Sequence, residues 1–378
     1  MNDATIDNIG TKGYPVSDMY KSNRFYDSMK SIADLDLNFK YNTSDEFNKQ
    51  MSNLIAIESV NISVFHVNIR SLNKNDSKLY NFLLTLDLVF DVIVLSEIWD
   101  YNLELSSKLF SDYSFYYDSC TSSHVGGVGV LVKNNLICNK LDNLKIESTS
   151  KNTVENVWLE ILNGKQKYIL GALYRHPNQT TDDFNEIFSK RLTELRNSHI
   201  PCIIAGDINI DLCKYSVHNP TTDYVNSLII NNFLPVTMMP TRITETSASI
   251  IDHIYYYEGI NGKRDLTTTS GNLWCDVTDH LPNYFIISEK VKKATTDNDR
   301  PLIRLYSAKN MRHFQYMTAN TEWGDIYATS SVNEAYSLFE TKINGCYNAS
   351  FPQVKLSRKR ARDKKWMTPG LKICSKKK

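Results

Sequence analysis

No uninterrupted apolar run in these 378 residues approaches the about 18 that a membrane helix needs, so a membrane-spanning protein is not expected. The first residues, MNDATIDNIG, lack a basic stretch followed by an apolar one, which argues against a secretory signal peptide. The seven cysteines, at positions 120, 138, 202, 213, 275, 346 and 374, include no Cys-x-x-Cys pair. An odd, scattered set in so long a chain argues against a disulfide framework or a zinc ribbon and suits a reducing intracellular compartment. Internal repeats and low-complexity domains are also absent.

What is present is ordinary globular composition: 42% hydrophobic and 22% charged residues, which excludes a wholly disordered chain. At about 150 residues per domain the length allows two to three domains, or one large α/β domain with extensions. The net charge of +1 conceals a segregation. Residues 1–290 carry 25 basic against 35 acidic side chains, and residues 291–378 carry 18 against 7, with 11 of those 18 in 355–378. A basic end of this kind suits nucleic acid, nuclear import or simple solvation.

Residues 1–58 are polar and read as a loosely ordered lead-in. Regular structure is expected from Ile62–Val67, a β-branched and aromatic run ending at Asn68. A helical face follows through Leu79, Phe82, Leu83 and Leu86, and then the apolar strand Val92–Leu95, which delivers Ser96 and Glu97. Further strands are expected at 126–132, at 157–161 and 168–174 around the turn Asn163-Gly164, and at 202–205, 250–255 and 284–287. Phe184, Ile187, Phe188, Leu192 and Leu195 mark an amphipathic helix, and 224–232 another. This mixture predicts a layered α/β sandwich over 59–290. Beyond it, 291–378 is expected to hold a helix around Val332, Ala335, Leu338, Phe339 and Ile343 and the basic tail.

Strand ends carry Asn68, Glu97, Asp207 with Asn209, and Asp252; Thr278-Asp279-His280 leads into a strand. Such groups can meet on one rim while the strands stay buried, and their oxygen donors suit a hard cation such as Mg²⁺ or Mn²⁺. Each alone has an innocent reading as a turn residue, a cap or a satisfied core histidine. Their order does not. Val67-Asn68-Ile69-Arg70-Ser71-Leu72, Asp91 to Trp99, Leu173-Tyr174-Arg175-His176-Pro177, Ala205-Gly206-Asp207-Ile208-Asn209, Pro240-Thr241-Arg242, Ile251-Asp252-His253-Ile254 and Thr278-Asp279-His280-Leu281-Pro282 together resemble the endonuclease/exonuclease/phosphatase superfamily. The pattern is most similar to the endonuclease domain of non-LTR (LINE-type) retrotransposon polyproteins.

That resemblance implies a four-layer α/β sandwich of deoxyribonuclease I type, two packed mixed sheets flanked by helices. It implies a metal held by Glu97 with Asn68 and Asp279, a water-orienting Asp207 with Asn209, and a phosphate-contacting His280 oriented by Asp252. Tyr174 and Thr241 would hydrogen-bond the phosphate or its acidic neighbours. Which of Asp207 and His280 is the general base stays open. Thr278 stands where the family commonly has serine, which keeps the hydroxyl. Arg70, Arg175 and His176 are candidates for flanking phosphates or for ordinary solvation. Lys364 to Lys372 resembles the junction before a reverse transcriptase, but no Tyr-x-Asp-Asp motif occurs. The expectation is a nuclear, metal-dependent endonuclease acting on double-stranded DNA, with element RNA a second candidate ligand of the tail. Its rivals are a phosphatase or phosphodiesterase of the same fold, an abasic-site endonuclease, and a non-catalytic nucleic-acid-binding remnant.

Overall fold

The computed structural model of the chain describes Phe25 and residues 40–99, 101, 108–119, 125–147, 154–164, 166–259, 266–290 and 302–355. The chain divides into two compact units, Met1–Val291 and Lys292–Lys378.

The first unit is built on two sheets. One contains β1 (Tyr41–Asn42), β2 (Glu58–Asn68), β3 (Val92–Ser96), β4 (Tyr113–Asp118), β5 (Val128–Lys133), β14 (Leu266–Leu273) and β15 (Asn283–Lys290), in the spatial order β1-β14-β15-β2-β3-β5-β4. The other contains β6 (Ile137–Lys140), β7 (Val154–Asn163), β8 (Gln166–Arg175), β9 (Cys202–Asp207), β10 (Leu234–Pro235) and β13 (Asp252–Tyr257), in the order β10-β13-β9-β8-β7-β6. A two-stranded ribbon, β11 (Arg242–Ile243) with β12 (Ala248–Ser249), lies between β10 and β13 in the chain.

Side chains alternate across each strand, and both faces of the central ones are apolar. Ile62 and Val64 of β2 point between the sheets, with Val92, Val94, Val128 and Val130, onto Leu159, Leu170, Ala172, Ile203 and Ala205. Phe65 and Val67 point outward, onto Phe47 and Met51 of α1 (Ser44–Ile55) and Leu72 and Leu79 of α2 (Leu72–Leu83). On the far side Trp158, Leu173 and Ile204 meet Phe184, Phe188 and Leu192 of α3 (Thr181–Ser198) and Tyr224 and Leu228 of α4 (Asn219–Ile230). This is the expected four-layer α/β sandwich.

The lead-in expectation needs correction for residues 40–58. Tyr41 and Asn42 pair with β14, and α1 starts at a capping box in which Thr43 and Glu46 satisfy each other's backbone N–H groups. The apolar content of α1 is low, which is why its pattern reads as polar linker. Two buried side chains, Phe47 and Met51, are enough to dock it. The strands β4, β6 and β14 were not expected either: each is an outer or half-exposed strand with little apolar signal.

Two parallel pairs, β2 with β3 and β8 with β9, are joined through α2 and α3, since parallel neighbours need a crossover. Antiparallel β13 starts where β9 ends, pairing Asp252 with Asp207, and β15 starts near the end of β2, pairing Asn283 with His66. The carboxyl ends of four strands and the amino ends of two therefore share one rim.

The second unit holds α5 (Ala308–Ala319), α6 (Gly324–Ala328) and α7 (Val332–Ser350) with the strand pair β16 (Leu302–Arg304) and β17 (Gln353–Lys355). Its packing centres on Tyr306, Phe314, Tyr347 and Phe351. The helix expected around Val332 to Ile343 is α7. Of the basic tail, only Lys355 lies among the described residues. No helix among them is long and apolar enough to cross a membrane.

Candidate active site

The rim is made where the backbone leaves β2, β3 and β9 through unusual conformations. Arg70 (φ 44°), Ser71 (φ 81°), Glu97 (φ 55°), Trp99 (φ 54°) and Asn209 (φ 53°) all sit in left-handed backbone, which costs a side-chain-bearing residue energy and marks constrained turns. Gly206 has a different reason to be glycine. A Cβ there would lie 1.8 Å from the Leu173 carbonyl oxygen on the neighbouring strand, so no side chain fits immediately before Asp207.

Asn68 sits at the centre, fully buried. Its Nδ2 donates to Glu97 Oε1 at 2.8 Å and to Asp207 Oδ2 at 2.8 Å, tying two carboxylates from different sheets to one amide. Its Oδ1 accepts the backbone N–H of Arg70 at 3.1 Å. Asn68, expected among the metal-holding residues, thus presents its nitrogen to the two carboxylates and its oxygen to the backbone. Glu97 is half-buried and also accepts from Trp99 Nε1 at 3.2 Å and from the Tyr174 hydroxyl at 3.4 Å.

Asp207 is almost fully buried, and its Oδ1 accepts the Asn209 N–H at 3.0 Å. Burial and the neighbouring charge of Asp252 push its carboxyl well above the usual carboxylate range. The amide of Asn209 donates to the Arg175 carbonyl at 2.8 Å, which locks the turn after β9. His280 Nδ1 lies 2.8 Å from Asp252 Oδ2. Burial alone would lower this imidazole, but the charge and hydrogen bond of Asp252, with Asp207 and Asp279 nearby, raise it to about 9. Asp252 moves the opposite way: burial would raise it, yet the His280 charge and hydrogen bond hold it below its ordinary value. Ligand atoms of Asp207, Asp252 and His280 all fall within 4.8 Å of one another.

Other expected residues are placed differently. Tyr174 is on the rim beside Glu97; burial and the carboxylates of Glu97, Asp207 and Glu155 raise its phenol far above normal. The Thr241 hydroxyl is buried and accepts the N–H groups of Ile251 and Asp252 at 3.3 and 3.2 Å, so it positions Asp252 as a cap. Asp279 is not part of the cluster. It is exposed and paired with Arg70 at 2.7 Å and Arg242 at 3.2 Å. Thr278 Oγ1 donates to the Asn68 carbonyl at 2.8 Å, so the hydroxyl shared with serine has a structural use. Arg175 is buried, with its guanidinium donating to the carbonyls of Ile208 and Gln179, and is not a phosphate contact. His176 faces Glu155 at 3.0 Å.

Sequence reasoning missed the polar layer beneath the rim. His66 Nε2 contacts Ser96 Oγ at 3.0 Å, Ser96 Oγ accepts the Asp207 N–H at 3.1 Å, and His66 Nδ1 contacts Asn283 Oδ1 at 3.2 Å. Asn283 Nδ2 donates to the Asp252 carbonyl at 3.0 Å, closing a chain that runs from one sheet to the other under the acids. The available signal was a histidine and a serine inside two apolar strands, where unpaired polar groups are costly.

Acids and a histidine from both sheets of the sandwich therefore gather on one rim. The sequence profile of the endonuclease/exonuclease/phosphatase family matches residues 60–280, and the chain belongs to that family. Solved structures similar to it include the endonuclease domain of TRAS1, a telomere-specific non-LTR retrotransposon, at 14% identity and TM-score 0.47, covering 61% of this chain and 99% of that one. The human Nocturnin catalytic domain with bound sulfate is similar at 16% identity and TM-score 0.45, covering 62% and 94%. So is D. rerio TDP2 complexed with single-strand DNA product, at 13% identity and TM-score 0.43, covering 60% and 98%. No curated protein matches the chain in sequence.

Proposed function

We propose that this chain is a divalent-metal-dependent DNA endonuclease that nicks one strand of a duplex, leaving a 3′-hydroxyl and a 5′-phosphate for target-primed retrotransposition. The observation that carries the reading is the Asn68 strap between Glu97 and Asp207, with the Asp252–His280 pair within reach of Asp207. The retroelement motifs in their order support the choice of DNA, and with it a nuclear site of action. RNA of the element remains a candidate ligand of the basic tail.

The residues fit a hard cation. The donors are carboxylate oxygens, Glu97 is open to solvent on one side, and the buried Asp252 Oδ1 has no hydrogen-bond partner among the described residues. Glu97 is the residue that would hold Mg²⁺ or Mn²⁺. Such an ion, when bound, neutralises charge gathering on the phosphate oxygens and eases departure of the leaving oxygen. Asp207 takes the proton of the attacking water, its raised basicity suiting work near neutrality. His280 is cationic at that pH and so serves as a donor to a phosphate oxygen through Nε2, since Nδ1 is held by Asp252. Tyr174 adds a hydroxyl on the Glu97 side.

The purified chain should convert supercoiled plasmid to open circles with Mg²⁺ or Mn²⁺, and the nick should be sealable by ligase. Asp207→Ala, Glu97→Ala and His280→Ala should each lower nicking by about 10²-fold or more. Wild-type relaxation by all three would refute the site. Faster turnover of a phosphoinositide or an abasic duplex, assayed in parallel, would instead favour a same-fold phosphatase or a repair enzyme. Duplex binding without any cleavage would favour a non-catalytic remnant.

A further inference from the structure

Asp279 adjoins His280, yet both of its carboxylate oxygens are engaged by arginines. Arg70 Nη1 lies 2.7 Å from Oδ1, and Arg242 Nε lies 3.2 Å from Oδ2. Both arginines arise from the site's own turns. Arg70 follows Asn68 by two residues, with its N–H on Asn68 Oδ1; Arg242 follows Thr241 and pairs through its backbone with His280. Their side chains are 47% and 43% exposed, and their other N–H groups have no partner among the described residues. Two guanidinium groups on one carboxylate leave a surplus positive charge fixed beside the catalytic histidine. A cation approaching Asp279 would meet both of them, whereas an anion would meet a ready fork of donors.

We propose that Arg70 and Arg242 form a clamp for a backbone phosphate neighbouring the scissile one, held open and aimed by Asp279 until the substrate arrives. The assignment rests on the nuclease reading and narrows it. A polynucleotide has a second phosphate to fill the clamp, and a simple phosphomonoester does not. Asp279 is then a positioning residue for the arginines, and its charge is what keeps them from turning into solvent.

The test uses the full chain carrying Asp207→Ala, so that duplex is bound without being cut, and reads affinity by fluorescence anisotropy across a potassium chloride series. Adding Arg70→Ala with Arg242→Ala should weaken duplex binding about tenfold at moderate salt and reduce the slope of log affinity against log salt by about one, the loss of one phosphate contact. Arg70→Lys with Arg242→Lys keeps the charge and should keep the slope, with part of the affinity lost. Asp279→Asn should leave Mn²⁺ affinity, read by electron paramagnetic resonance, at the parent value. Parent-level slope and affinity in the alanine pair would overturn the clamp, as would loss of the slope in a folded lysine pair. A tenfold loss of Mn²⁺ affinity in Asp279→Asn would also overturn it by making Asp279 a metal ligand. If the clamp fails while the wild-type chain still nicks plasmid, the nuclease reading stands; if the wild type neither binds nor nicks duplex, both fall.

Discussion

Among the described residues of the first unit three histidines are buried, and their partners send them to different charge states. His66 and His253 are pushed down to about 4 by burial, because their hydrogen-bond partners are neutral: Asn283 and Ser96 for one, Tyr224 and the Ile250 carbonyl for the other. His280 suffers the same burial but has Asp252 against Nδ1, and rises to about 9. A histidine raised from 6.5 to about 9 on folding adds stability that is fully present below pH 6.5 and lost as pH rises through 9. In cation-free protein, the thermal-stability advantage of wild type over His280→Gln should be largest near pH 6, up to about 3 kcal/mol, and gone above about pH 9. A difference that stays level across that range, followed by calorimetry, would show that the imidazole does not titrate there. His280 and Asp252 were legible in the chain as members of ordered motifs. Arg175 was not: its position beside Tyr174 suggested a substrate contact, whereas the loops around it supply carbonyls that consume its donors.

The elements matter because they aim the acids. Leu173 and Gly206 are register partners on parallel β8 and β9, and the Leu173 carbonyl occupies the space a Cβ at 206 would need. Gly206→Ala must push the two strands apart or twist Asp207 off the rim. It should cost roughly 3 kcal/mol or more in urea denaturation, and should lower nicking even where the protein still folds. A loss under about 1 kcal/mol with full activity would mean the strands yield easily. The strands that frame the site were readable because both their faces are apolar. The edge strand β4, the half-exposed strand β14 and the helix α1 were not, since a half-exposed element carries a diluted pattern and is fixed by what it lies against.

At the scale of the whole molecule, acidic and basic charge are divided between the two units. Residues 1–290, which hold the candidate site, are net acidic, and attracting DNA would fall to local arginines and to the basic C-terminal residues. Removing residues 356–378 should therefore weaken duplex affinity and flatten its salt dependence, while the cleavage rate at saturating DNA changes by less than about threefold. Anisotropy and single-turnover nicking measure the two quantities separately; unchanged binding across the salt series would remove the tail from DNA contact.

The one-dimensional chain determined the architecture and the identity of the acids, because strand periodicity and motif order are local properties. It could not determine which acids gather around Asp207 and which are claimed by arginine. Asp279 and Arg242 adjoin His280 and Thr241 in the chain, but what Asn68, Asp279 and Arg242 touch depends on which way each side chain leaves its turn. Those directions were decided only when two sheets packed and brought β2, β9, β13 and β15 to a common edge, where polar side chains from both sheets paired with one another.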